Sequence, residues 1–173
     1  KLTVDVDPHE TMFAEAKRGP DSQKSRLERW TIDPGVGTTT RAVIHDHAQE
    51  FPRYDERLTT RPYRFAYSVA IPDGETAEWA LAETRLFKHD LDNGSTAIHD
   101  FGPGRHPGEF VFVPRSIDGA EDDGWLIGLV VDMNDETTDL VILNADDFTG
   151  SAQAIVHLPH RVPPGFHGNW VAD

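Results

Sequence analysis

The chain has no cysteine among its 173 residues. That excludes disulfides and thiolate metal ligands, and it fits a reducing, cytoplasmic location. No apolar run approaches the roughly 20 residues that a membrane-spanning helix needs. No signal-peptide pattern opens the chain, and its first residue is Lys1, so the natural start is expected to lie upstream or to have been removed. Positive charge is also scarce: 16 Lys and Arg stand against 30 Asp and Glu, for a formal net charge of −14. With no basic stripe, the field repels nucleic acid and anionic membrane surfaces, because phosphate binding rests on clustered Lys and Arg. Long helical periodicity is missing. So are the Gly-rich phosphate loop, the G-x-S-x-G elbow and the H-E-x-x-H helix. Any metal must be held by His, Asp, Glu, carbonyls or water.

What is present reads as β. The first 25 residues are polar and give no clear element, so 1–25 is taken as an irregular N-terminal segment and 26–173 as the folded unit. Strands are expected at Leu27–Ile32, Tyr63–Ile71, Thr84–Lys88, Thr96–Phe101, Phe110–Val113, Trp125–Met133, Thr138–Leu143 and Ala152–Leu158. They are short, rich in Val, Ile, Thr and aromatics, and bounded by Gly, Pro, Asp and Asn. Trp125–Val131 and Leu140–Leu143 are nearly all apolar, which predicts strands covered on both faces. Three strand-to-turn passages resemble one another: each runs into a turn marked by Asp33, Asp92 or Asp147 and followed by Gly37, Gly94 or Gly150. A β unit recurring at such a spacing suggests the blades of a β-propeller. About three blades fill the chain, whereas a ring typically closes with about 4–8, so the chain is expected to be the C-terminal part of a longer protein.

Near the end stands His160-Arg161-Val162-Pro163-Pro164-Gly165-Phe166-His167-Gly168-Asn169-Trp170. The prolines stiffen the segment and the glycines let it pass close to other backbone, so His167 is offered in a fixed direction. Two further stretches accompany it: Glu50-Phe51-Pro52-Arg53-Tyr54-Asp55-Glu56-Arg57, and Pro107-Gly108-Glu109-Phe110-Val111-Phe112-Val113-Pro114-Arg115 with Glu121-Asp122-Asp123-Gly124-Trp125. In this order and spacing they resemble the C-terminal third of the carotenoid cleavage oxygenase family, which includes the lignostilbene dioxygenases and the retinal-pigment-epithelium isomerase.

The resemblance implies an all-β, seven-bladed propeller holding one non-haem Fe(II) on four histidines. His167 matches the last of those ligands. Glu109 and Glu50 match two of the glutamates that orient ligating histidines, and by the family pattern Glu109 faces His167. The other three histidines and the third glutamate fall in earlier blades, outside this sequence. Neutral imidazole suits Fe(II). A carboxylate that accepts the far ring N–H fixes the tautomer and aims the other nitrogen at the metal. The implied activity is insertion of O2 across a conjugated C=C bond of a carotenoid, apocarotenoid or phenolic stilbene, giving two carbonyl products. The implied partners are that apolar substrate, O2 and the remaining blades; the sequence gives no apolar patch that marks a membrane contact.

Two other readings stand beside this one. His45-Asp46-His47 followed by Glu50 would suit a cupin-type metal enzyme, although the expected glycine spacing before His45 is wrong. An orphan propeller fragment could also act without catalysis, by binding or oligomerising through open strand edges. By default His167 would be a hydrogen-bonded structural histidine, Glu50 and Glu109 exposed acids, and Phe51, Phe110, Phe112 and Trp125 core aromatics.

Overall fold

The computed structural model describes residues 1–9, 25–72 and 83–171. Among the described residues ten antiparallel strands form: β1 (Leu2–Val6), β2 (Arg26–Asp33), β3 (Thr38–Tyr54), β4 (Phe65–Ala70), β5 (Arg85–Asp90), β6 (Ser95–Asp100), β7 (Arg105–Pro114), β8 (Gly124–Asp132), β9 (Thr137–Asn144) and β10 (Ala154–His157). Among the described residues the one helical piece is a 3-10 turn at Glu56–Leu58, capped by the Asp55 carboxylate. The strands meander in chain order, in one sheet from β1 to β6 and in a second from β7 to β10.

The first sheet divides within β3, whose 17 residues serve two neighbourhoods. Its first half pairs with β2 through Thr38–Val43, and its second half pairs with β4 through Gln49–Tyr54. The result is a three-stranded meander (β1, β2, start of β3) and two four-stranded ones (end of β3 to β6, and β7 to β10). An all-β, partial propeller was expected from the repeat, and this architecture agrees with it. The three Asp-Gly turns occupy one structural place, the hairpins β2–β3, β5–β6 and β9–β10. At the first two, Gly37 and Gly94 sit at φ +73° and +72°, where a side chain is disfavoured.

Two expectations are corrected. Leu2–Val6 is a strand paired with β2, not part of an irregular segment; residues 10–24 of that segment lie outside the described residues. Thr38–Tyr54, absent from the expected strands although the chain after Arg26 reads as β, is the longest strand among the described residues. His45, Asp46, His47, Glu50 and Pro52 break its alternation, so no period-2 signal survives. Pro52 is tolerated because it falls at a bulge, where the ladder needs no N–H.

Tyr67, Val69, Leu86, Phe110, Phe112, Leu126, Val130, Val141, Leu143 and Phe148 form one buried cluster between the two four-stranded meanders. Phe110 and Phe112 are therefore core residues, as their strand positions suggested. Along β8 every residue is buried or half-buried, in keeping with its unbroken apolar sequence. The strands β3 and β7, which begin the two four-stranded meanders, pack against each other across this core.

Candidate functional site

Each of these two strands carries a bulge, and each bulge carries a glutamate. Between Glu50 and Arg53, three steps along β3 pass two along β4, leaving one residue over. Between Pro107 and Phe110 the same surplus arises in β7 against β8. A bulge turns a side chain out of the pleat's regular alternation and bends the strand. Glu-Phe-Pro-Arg and Pro-Gly-Glu-Phe supply what the bulges need: prolines that donate nothing to the ladder, and a glycine that passes close to the Leu129 carbonyl.

The Glu109 carboxylate is 4% exposed and meets the C-terminal segment with both oxygens. Oε1 lies 3.3 Å from His167 Nδ1, and Oε2 accepts the Gly168 N–H at 2.7 Å. One carboxylate thus fixes the imidazole and the backbone just after it. The Phe51 ring meets the imidazole edge-on at 5.5 Å and 87°. With Nδ1 on Glu109, the imidazole has Nε2 for any further ligand. The His167 side chain is 74% exposed. A cleft of about 240 Å³ runs beside it, lined by Ile127, Leu129, Leu140, Phe166 and Trp170.

Glu50 is engaged differently. Its Oε1 lies 2.8 Å from His9 Nε2, and the Ser25 hydroxyl approaches the same nitrogen at 3.3 Å. His9 therefore turns the opposite ring nitrogen to its carboxylate from the one His167 uses. Asp7 lies beside this pair with neither oxygen hydrogen-bonded, and burial, reinforced by the Glu50 charge, pushes its carboxyl up to about 8. His9 had no signal in the sequence: it stands in a polar stretch, 41 positions before the glutamate it meets.

The cupin grouping is not formed. Among the described residues no three His, Asp or Glu side chains are arranged to hold a metal. The His45 ring packs on Phe87 and His89, and His47 reaches Arg85 at 3.0 Å and Glu83 at 3.7 Å. The buried His89 donates its Nε2–H to Gln49 Oε1 at 2.7 Å and meets the Thr96 hydroxyl with Nδ1 at 2.9 Å, and burial drops its imidazole to about 3. His99 and His157 meet the Phe148 carbonyl and Asp139. These are bonded structural histidines.

A family profile described as "Retinal pigment epithelial membrane protein" matches residues 2–172. The chain is 43% identical over 172 residues to a carotenoid cleavage oxygenase of Mycobacterium tuberculosis, covering 98% of this chain and 34% of that protein. It is 37% identical over 145 residues to an apocarotenoid-15,15'-oxygenase of Synechocystis, covering 84% of this chain and 29% of that one. A solved variant of the Synechocystis apocarotenoid oxygenase superposes on 99% of the chain with a TM-score of 0.84 at 30% identity, using 36% of its own length. The cobalt-substituted form of the same oxygenase superposes on 95% with a TM-score of 0.76 at 33% identity, using 32% of its length. The chain spans about a third of the length of the relatives it matches.

Proposed function

This chain belongs to the carotenoid cleavage oxygenase family, and on that premise we propose that it forms the C-terminal blades of a non-haem Fe(II) dioxygenase. The substrate is a carotenoid, apocarotenoid or phenolic stilbene, cleaved with O2 at a conjugated C=C bond into two carbonyl products. The observation that carries the reading is Glu109 gripping both the His167 ring and the Gly168 N–H. His157 also sets Nδ1 against a buried carboxylate, that of Asp139, so the pairing alone does not distinguish His167. What supports the reading is that Glu109 also takes the Gly168 N–H, as an orienting carboxylate of a metal ligand would, and that an apolar cleft lies beside the ring.

The residues present fit one ligand position: a neutral imidazole whose Nδ1 side is held by a carboxylate and whose Nε2 is left for Fe(II). Further histidines would come from outside the described residues. When bound, the iron would supply the activation of O2 beside the alkene. Within this chain Glu109 holds the tautomer and direction of His167, the stiff Val162–Gly165 segment limits its travel, and Glu50 serves as a second orienting carboxylate for a ligating histidine. The apolar cleft beside His167 suits a conjugated hydrocarbon or stilbene better than a charged substrate.

The test is metal uptake and product analysis on the protein as the cell makes it. Wild type and His45→Ala are expected to bind iron and to give two carbonyl products from an apocarotenoid with O2. His167→Ala is expected to lose the iron, and Glu109→Gln to weaken binding by about 10–100-fold. Iron binding that survives His167→Ala would sink the reading.

A further inference from the structure

The C-terminal segment from Leu158 to Val171 forms no strand. The Leu158 N–H donates to the Thr138 carbonyl at 3.0 Å, and a reciprocal pair with the same residue follows: the Thr138 hydroxyl donates to the Val162 carbonyl at 3.1 Å, and the Val162 N–H returns to that hydroxyl at 3.0 Å. Beyond that, Glu109 and the edge of Phe51 touch His167 itself. One more residue reaches this stretch, and it comes from the other bulge.

Arg53 closes the β3 bulge and its side chain is 16% exposed. One arm of its guanidinium, Nη1, lies 3.5 Å from Glu109 Oε1, the oxygen that also meets His167 Nδ1. The other arm, Nη2, donates to Asn169 Oδ1 at 3.1 Å and lies 2.7 Å from Glu56 Oε1. The same Asn169 oxygen accepts the Trp170 N–H at 2.9 Å, which closes the backbone two residues past His167. A planar fork can address two acceptors in fixed directions, which a lysine ammonium cannot.

We propose that Arg53 is a positioning residue for His167: it joins the Glu109 carboxylate to Asn169 and so sets the imidazole's direction from both sides. The role rests on the reading of His167 as a metal ligand only for its effect on metal affinity. Its effect on the imidazole itself is independent of any metal. The fork also ties the two bulges together, because Arg53 lies three residues from Glu50 and touches Glu109.

The experiment uses the protein as the cell makes it, labelled with 15N and stripped of metal by a chelator. Long-range proton–nitrogen spectra then report the His167 tautomer, and Co(II) titration reports affinity. Wild type should show one tautomer with the proton on Nδ1. Arg53→Met should blur it into a mixture and weaken Co(II) binding by about 10–100-fold, the usual cost of losing an orienting partner. Arg53→Lys should recover the Glu109 side in part, and Asn169→Ala should give an intermediate loss while leaving the Arg53–Glu109 contact in place. Glu109→Gln, which must alter both signals, shows that the probes report on the site. Unchanged ring signals and unchanged Co(II) affinity in Arg53→Met would overturn the proposal, as would a sharper tautomer or tighter binding. If circular dichroism shows Arg53→Met unfolded, Arg53→Lys and Asn169→Ala decide, and wild-type behaviour in both overturns it. A wild-type protein that takes up no Co(II) would overturn the reading of His167 as a metal ligand, while the ring signals would still judge Arg53.

Discussion

Phe51 stands edge-on to His167, yet its own backbone lies at φ +57°, in the left-handed region. For a bulky residue that conformation is a true outlier, costing roughly 1–2 kcal/mol. The bulge between Glu50 and Arg53 imposes it, and the ring's place against His167 and the core offsets it. Strain of this kind persists only where the surroundings over-determine it, and it gathers at functional sites.

Truncations at this position should therefore rank in an unusual order. In an ordinary strand glycine is worse than alanine by about 0.5–1 kcal/mol. Both Phe51→Ala and Phe51→Gly lose the ring, but only alanine keeps the left-handed strain. Phe51→Gly is expected to be more stable than Phe51→Ala by about 1 kcal/mol in urea unfolding. The ordinary order, alanine above glycine, would refute the strain.

How much was legible in the sequence follows the same physics. β8 and β9 were readable because Trp125–Val131 and Leu140–Leu143 need only local burial to become strands. β3 was not: the residues that make it useful, Glu50, Pro52 and Arg53, are those that spoil its pattern. β1 was not either, since its partner β2 begins 20 positions after it ends and five residues with an aspartate among them are too short a run to announce a strand. In the site, His167 and Glu109 were reachable because each sits in a distinctive motif. Arg53 and Asn169 are of types that usually face solvent, and nothing local announces a contact across 116 positions. The Glu50–His9 contact was hidden for the same reason.

Gly128 gives a test of how the core supports the site. It lies opposite Phe110 on β8, and a Cβ there would stand 2.4 Å from the Phe110 ring. Phe110 follows Glu109 directly and closes the β7 bulge. Gly128→Ala must push the ring aside in a filled core, at about 1–3 kcal/mol. The displaced ring should carry the bulge with it, so the variant is expected to lower the unfolding midpoint and also to disturb the His167 ring signals. Loss of stability with an untouched His167 would show that the bulge is rigid on its own.

The stability of the chain should fall as pH rises from about 6.5 to 8, and Asp7 should be the cause. Its folded carboxyl is raised from 3.8 to about 8, mainly by burial. Between those values the unfolded chain has released the proton and the folded chain keeps it, so stability declines with rising pH and is lost through about 8. His89 works in the opposite direction. Its imidazole is lowered from 6.5 to about 3, so between those values the unfolded chain holds the extra proton and stability climbs with pH. From about 4 to 6.5 the two slopes oppose each other and largely cancel; above 6.5 only Asp7 remains. Urea unfolding across that upper window should show a decline on the order of 2 kcal/mol. Asp7→Asn cannot ionise, so it should flatten the upper window and uncover the rising His89 limb below it. A decline that persists in Asp7→Asn would assign the effect to another group, and a flat wild-type profile would mean that Asp7 is not held protonated in the folded chain.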